Sequence, residues 1–341
     1  MQSKLKFTAC ILLLLTLVLS LFGCNVTEKA LTKEIYALDT IITITAYGVD
    51  DDTLRDTEAE VLRLESLLSV TDENSDISKI NSSPDRWVRV EEETFYLISL
   101  SKEISDSVNG NFDITVLPAV KLWGFTTDKY NVPEDSEIHN ISSFIDYTKI
   151  EINEAENGVR IPDGFSLDLG AIAKGYIADK AAELLRENGV TSGILNFGGN
   201  IRLIGSKPDG SFWKIGVKTP FEESYFSTLV LEDVTVSTAG GYERYFEEND
   251  RIYHHILNPH TASPAETDVL SATVVGEKGE VCDALATSAF VSGTECIDEI
   301  SSEYPDYSFV LFTDSGVYIS ESLRGDFSLT EEHKNTEIIY I

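Results

Sequence analysis

Helical and strand-like periodicities are interleaved in this chain without the regular βαβ alternation that builds a doubly wound parallel sheet. Residues 35–47 alternate and are β-branched, as in Thr40-Ile41-Ile42-Thr43-Ile44-Thr45, and read as one strand. Leu54, Val61, Leu64, Leu67 and Leu68 recur at helical spacing over residues 51–69. Further helices are expected over 92–108, stopped by Asn109-Gly110, and over 172–188, closed by Gly189. Short strands then dominate (192–197, 201–205, 213–217, 227–231, 234–237 and 270–275), before a helix from 281 to 291. Residues 309–312 and 316–319 read as a terminal hairpin. This pattern predicts an α+β fold: one catalytic domain over residues 34–330, with mixed, largely antiparallel sheets and packed helices, and 331–341 as a polar tail.

The N-terminus sets the expected compartment. Lys4 and Lys6 precede an apolar run over residues 11–22, which has the length of a signal h-region. It ends in Leu21-Phe22-Gly23-Cys24, which resembles the lipobox of bacterial lipoproteins. That resemblance implies a signal peptide over 1–23, lipidation of Cys24 and a tether over 24–33. The mature protein is then anchored to the extracytoplasmic face of the cell membrane, since several acyl chains hold stably where one is marginal. Of the remaining cysteines, Cys282 and Cys296 either form one disulfide or stay as two buried thiols. The formal net charge of −32 argues against nucleic-acid binding, which needs a basic surface. It leaves room for a phosphorylated ligand at a locally positive or metal-bearing site.

Four segments carry candidate chemistry. In Ser166-Leu167-Asp168-Leu169-Gly170-Ala171-Ile172-Ala173-Lys174-Gly175, an Asp at a strand end can accept from a ring N–H or a ribose hydroxyl. Lys174 then falls in the first turn of a helix, where a phosphate is favoured. The same residues also read as an N-cap Asp with a solvated Lys. Gly193-Ile194-Leu195-Asn196-Phe197-Gly198-Gly199-Asn200 runs a strand into a glycine pair: either a close approach to a planar ligand or a tight turn. Ser237-Thr238-Ala239-Gly240-Gly241-Tyr242-Glu243-Arg244-Tyr245 leads into a segment where His254, His255 and His260 cluster within seven residues. A neutral imidazole suits general-base work, whereas His254 and His255 on one strand point to opposite faces and do not share an ion. In Val281-Cys282-Asp283-Ala284-Leu285-Ala286-Thr287, Asp283 and Thr287 share a helix face. Their carboxylate and hydroxyl suit Mg²⁺, or act as N-cap and back-bonding hydroxyl.

In chain order these segments resemble the ApbE family of FAD:protein FMN transferases, over residues 37–293. Ser75-Asp76-Ile77-Ser78-Lys79-Ile80-Asn81 is similar to the family's Ser-Glu-(Ile/Leu)-Ser-Arg-(Ile/Phe)-Asn. Gly110-Asn111-Phe112-Asp113-Ile114-Thr115-Val116 is similar to its Gly-x-Phe-Asp-Ile-Thr-Val. The segment from Asp168 to Gly175, the Asn196 to Asn200 turn and Asp283-Ala284-Leu285-Ala286-Thr287 match three further motifs. The resemblance implies an ApbE-like domain with FAD as substrate and Mg²⁺ as cofactor. It implies FAD contacts from Leu38, Thr71, Asn111, Phe112, Asp113, Asp168, Lys174 and the Leu257 backbone. Asp283, Thr287 and main-chain oxygens of Ala171 and Ala286 would hold Mg²⁺, with His255 as first choice of base and Asp283 or a water on the metal as second. The product would be FMN on a Ser or Thr hydroxyl of an acceptor flavoprotein, since the acceptor-type sequence Asp-x-x-(Ser/Thr)-Gly-Ala-(Ser/Thr) does not occur in this chain. Water as nucleophile would give FMN and AMP instead, and a non-catalytic flavin carrier would need no metal. The chain departs from the family at Leu38-Asp39-Thr40, where Met-Gly-Thr is usual, and at Asn258 and Ala262, usually Asp and Gly. Thr71 stands where an aromatic ring commonly stacks on the flavin, which leaves Phe112 or Tyr242 to supply the ring.

Overall fold

The β-branched run near the N-terminus folds as a hairpin rather than as the single strand expected from it. β1 (Ala30–Ala37) and β2 (Thr40–Tyr47) pair antiparallel through a two-residue turn. Leu38 and Asp39 both adopt positive φ, at 54° and 56°, the geometry of a type I′ hairpin. No Asn-Gly or Asp-Gly pair announces this turn, because the chain uses Leu-Asp where Gly is the usual second residue. The computed structural model describes residues 29–127 and 129–341. Lys4, Lys6, the apolar run and Cys24 lie outside them. Among the described residues no helix is long and apolar enough to cross a membrane.

The hairpin begins a nine-stranded sheet. It continues with β3 (Gly193–Asn196), β4 (Asn200–Ile204), β5 (Thr235–Gly240), β6 (Val269–Gly276), β7 (Ser308–Thr313), β8 (Val317–Ile319) and β9 (Ile338–Tyr340). Each strand pairs antiparallel with the next in the chain, except β9, which joins β8 in parallel. The fold is therefore a long meander interrupted by insertions, as the absence of βαβ alternation predicts. β1 starts at Ala30, inside the stretch expected as tether. The expected tail also ends in the sheet, because its last residues, Ile338, Ile339 and Tyr340, are apolar enough to pair and pack.

The period-2 alternation of the strands supplies two cores. Phe309 and Leu311 face the helices, while Val310 between them faces the other side. The helix-side core is covered by α1 (Asp51–Leu68), α2 (Asp76–Asn81), α3 (Glu92–Ser107), α4 (Ala173–Glu187) and α5 (Gly279–Ser292). In α1 the helical period puts Leu54, Val61, Leu64 and Leu68 inward. The opposite face is covered by a three-stranded sheet of Trp213–Lys218, Tyr225–Leu231 and Phe327–Leu329, inserted between β4 and β5 and completed from the C-terminal region. A third small core of Trp123, Phe125, Leu257 and Ala262 sits under the segment between β5 and β6. The short helices Leu117–Leu122 and Asp135–Ser142 went unpredicted, being too short for a hydrophobic period to register. Cys282 and Cys296 are both free thiols, and Cys282 is buried in α5.

Candidate functional site

The site is assembled where the first turns of α4 and α5 meet beside the centre of the sheet. Glycine at Gly175 and Gly279 allows the two helix starts to touch backbone to backbone. Asp283, one turn into α5, is buried. The Gly175 amide donates to its Oδ2 at 3.1 Å, and the Ser237 hydroxyl on β5 donates to its Oδ1 at 3.4 Å. Ser237 Oγ is also within hydrogen-bond distance of Asn200 Oδ1, its direct cross-strand partner on β4, and its one proton serves one of the two acceptors at a time. The alternation places both residues toward the helices, because neighbouring Val236 packs on the opposite core. Asn200 Nδ2 is buried with no hydrogen-bond partner among the described residues.

Thr287 and Ser292 are the only residues of α5 that are not buried. Ser288 donates back to the Ala284 carbonyl at 2.7 Å, but the Thr287 hydroxyl makes no hydrogen bond among the described residues. Ala171 lies just before α4. The Gly175 amide four residues on is turned to Asp283, which leaves the Ala171 carbonyl without that helical bond. Ala286 contributes an interior helix carbonyl, which keeps a second lone pair. The candidate donors are thus one carboxylate and neutral oxygens. Among the described residues no group of three His, Cys, Asp or Glu forms a ligand cluster. Such oxygens fit Mg²⁺, a hard cation that keeps several waters, and do not fit a softer metal that prefers imidazole or thiolate.

Next to this niche the acidic chain collects its cations. Lys174, the second residue of α4, forms no contact ion pair among the described residues. Burial raises the Asp168 carboxyl above its ordinary pKa, and the Gly170 amide, Arg244, Lys174 and Lys121 oppose that rise. Asp168 accepts from the Gly170 amide at 2.8 Å. Burial pushes the His255 imidazole down to about 3, and the nearby charges of Lys174 and Arg244 add to the effect. His255 Nδ1 lies 3.1 Å from the Arg244 carbonyl oxygen. That contact makes Nδ1 the protonated nitrogen and leaves Nε2 as acceptor, an inference from the network. Arg244 Nη2 lies 3.8 Å from Asp39, so the β1–β2 turn carrying Leu38 reaches the same group. Leu38 is half-buried, and its amide donates to Glu65 at 2.6 Å.

Several of the other residues expected at the site have partners within the fold. Asn81 grips the Leu167 backbone through both ends of its amide: Nδ2 donates to the carbonyl at 2.9 Å, and the Leu167 amide donates to Oδ1 at 2.7 Å. The Ser75 to Asn81 motif therefore fixes the residue before Asp168. Asp113 accepts from the Thr115 amide and hydroxyl, both at 2.7 Å, and from the Tyr147 amide at 2.9 Å. Three donors therefore already engage its carboxylate. Phe112 is buried in the main core, whereas Asn111 is half-exposed. The neighbouring Gly110 packs against His260, which brings the 110–113 loop beneath the segment carrying Leu257. Trp123 Nε1 donates to the Ala262 carbonyl at 2.9 Å and holds that segment down. Ala262 stands at φ 55°, the conformation that the family's Gly serves at no steric cost. Thr71 is exposed, with its amide and hydroxyl both bonded to Ser69 Oγ at 3.1 Å. Tyr242 and Phe112 are both buried, so neither offers an open ring face.

Sequence reading gave no role to Arg244, Lys121, Ser237 or Asn200, although Ser237 and Arg244 lie in a segment it singled out and Asn200 closes a motif it matched. The meeting of Ser237 with Asn200 depends on strand register, which no spacing discloses.

Fold and site together define an α+β enzyme domain in which cationic side chains act on Asp168 and His255, and the buried Asp283 carboxylate lies among neutral oxygens. The chain belongs to the ApbE family, whose profile matches residues 38–311. It is 33% identical over 239 residues to a FAD:protein FMN transferase of Klebsiella pneumoniae, covering 69% of this chain and 74% of that protein. A FAD:protein FMN transferase of Treponema pallidum is 30% identical over 277 residues, 76% of each chain. The crystal structure of the ApbE protein of Thermotoga maritima superposes with a TM-score of 0.81 at 31% identity, over 86% of this chain and 98% of that one.

Proposed function

We propose that this chain is a transferase that moves the FMN half of FAD onto a Ser or Thr hydroxyl of an acceptor protein and releases AMP. The observation that carries this reading is that Lys174 and Arg244 act electrostatically on both Asp168 and His255, and Lys121 on Asp168, in a chain of net charge −32. Asp283, Thr287 and the carbonyl oxygens of Ala171 and Ala286 would hold Mg²⁺ beside them. Bound there, the ion supplies Lewis-acid neutralisation of the pyrophosphate oxygens. Lys174, at the positive end of α4, offsets further phosphate charge. Asp168 accepts a hydrogen bond from the flavin or ribitol side of the substrate. The acceptor hydroxyl oxygen forms a new bond to the FMN phosphorus, the bridging P–O bond breaks, and AMP leaves with that bond's electron pair. His255 Nε2 takes the hydroxyl proton. Burial is the main cause of its low pKa, and phosphates paired with Lys174 and Arg244 would relieve the added charge repulsion. Part of its basicity is therefore regained with substrate bound.

The test incubates the protein with FAD, MgCl₂ and an acceptor domain carrying the Asp-x-x-(Ser/Thr)-Gly-Ala-(Ser/Thr) sequence. Covalent flavin fluorescence on the acceptor, with a mass gain of FMN minus water, supports transfer. Free FMN alone would assign a pyrophosphatase instead, and unchanged FAD a flavin carrier. Asp283→Ala is expected to abolish turnover, and full magnesium-dependent activity in that variant would remove the ligand assignment. We also propose that Cys24 is lipidated and holds the enzyme on the extracytoplasmic face, where secreted or membrane flavoproteins are its acceptors. Cys24→Ser should move the protein from the membrane to the soluble fraction.

A further inference from the structure

Two Gly-x-x-x-Asp segments cross at the site: Gly175-Tyr176-Ile177-Ala178-Asp179 on α4 and Gly279-Glu280-Val281-Cys282-Asp283 on α5. Each glycine amide donates to the other helix's aspartate. The Gly175 amide meets Asp283 Oδ2 at 3.1 Å, and the Gly279 amide meets Asp179 Oδ2 at 2.6 Å. Neither helix caps itself with a side chain: Ile172 precedes α4, Lys278 precedes α5, and neither forms a side-chain cap bond. The two helices therefore cap one another in trans, each through its aspartate.

The aspartates differ in what else they hold. Asp179 is ion-paired to Arg202 Nε at 3.0 Å, with both side chains nearly buried, and it accepts the Thr235 hydroxyl at 3.3 Å. Asp283 has no cationic side chain in contact among the described residues. Asp179 already carries its counter-charge within the fold, while Asp283 leaves its charge for a bound cation. We propose that Asp179 is a positioning residue for Asp283, acting through the Gly279 amide that opens α5. The proposal rests on the reading of Asp283 and Thr287 as cation ligands. Gly279 is the first residue of α5 and Asp283 lies one turn later on the same face, so the anchor on Gly279 sets the angle at which Asp283 and Thr287 face the niche. Without it the Gly279 amide becomes an unpaired buried donor, and the first turn of α5 is held only by packing.

Asp179→Ala alone would strand Arg202 and confound the result. The test uses two double variants that remove the ion pair whole, a change buried pairs often tolerate. Asp179→Asn with Arg202→Met keeps an acceptor for the Gly279 amide. Asp179→Leu with Arg202→Met removes it. Mn²⁺ binding to each folded protein in the presence of FAD is followed by electron paramagnetic resonance. Hydrogen exchange of the segment around Gly279 is followed by mass spectrometry. The Asn variant is expected to bind Mn²⁺ as the wild type does, and the Leu variant about tenfold more weakly, with faster exchange at the start of α5. A Leu variant with wild-type affinity overturns the proposal, as does equal weakening in both variants, which would assign the effect to the Arg202 charge. Wild-type protein that takes up no Mn²⁺ overturns the ligand reading itself, and is distinguished from either result because it needs no variant.

Discussion

Gly175 and Gly279 touch more closely than residues with side chains can. A methyl group on Gly175 would lie 2.0 Å from the Gly279 carbonyl oxygen, and one on Gly279 would lie 2.4 Å from that of Gly175. The obstacle in each case is backbone, which cannot rotate away. The contact explains why the Asp168 to Gly175 motif ends in glycine although Gly175 stands inside a helix, where alanine is otherwise favoured.

Gly175→Ala is accordingly expected to cost about 3 kcal/mol, the upper range for overpacking. It should also lower magnesium-dependent turnover by separating the Gly175 amide from Asp283. Urea denaturation and the transfer assay check both. Gly325→Ala, with nothing within 4 Å of the added methyl and no left-handed backbone, serves as comparison and should leave turnover unchanged. Similar effects at the two positions would contradict the crowding argument.

Asn81→Ala removes two hydrogen bonds from the backbone of buried Leu167 and leaves both groups unpaired. A loss of about 2 kcal/mol is expected from those orphaned groups. Because Leu167 precedes Asp168, FAD affinity should fall too, as read by quenching of flavin fluorescence. Unchanged affinity in a destabilised variant would confine Asn81 to stability.

The His255 imidazole predicts how stability varies with acidity. Its folded pKa is pushed from 6.5 to about 3, so the unfolded chain binds this proton at a higher pH than the folded one does. The stability it contributes is complete above pH 6.5 and is lost as pH falls from there toward 3. His255→Asn should therefore show a shallower loss of stability on acidification than the wild type, measured by urea melts at several pH values. Parallel curves would mean that the imidazole titrates normally.

Thr71→Tyr restores an aromatic residue where the chain presents an exposed hydroxyl bonded to Ser69. An added stacking contact of about 1 kcal/mol should tighten FAD binding about fivefold. The fluorescence titration used for Asn81 reads it, and equal affinity would show that the flavin ring lies elsewhere.

The elements that could be read from the sequence were those with a long period. The α1, α3 and α4 helices and most strands of the large sheet follow from apolar spacing. The β1–β2 turn did not, because Leu38-Asp39 adopts left-handed backbone without the residues that usually signal it. Asp113 and Asn81 belonged to recognisable motifs, yet their side chains serve the backbone of other loops, which no spacing discloses. Conversely, Ser237 and Asn200 meet only because β4 and β5 pair in one register.

By itself the sequence determined the α+β class, the family and the residue types of the site, since periodicity and motif order are written along one strand of text. Tertiary structure alone decided that Asp283 meets the Gly175 amide 108 positions away and that the charges of Lys174 and Arg244 act on the same imidazole. Such pairings arise from how helix starts cross and how strands register, and these follow from packing the whole chain at once.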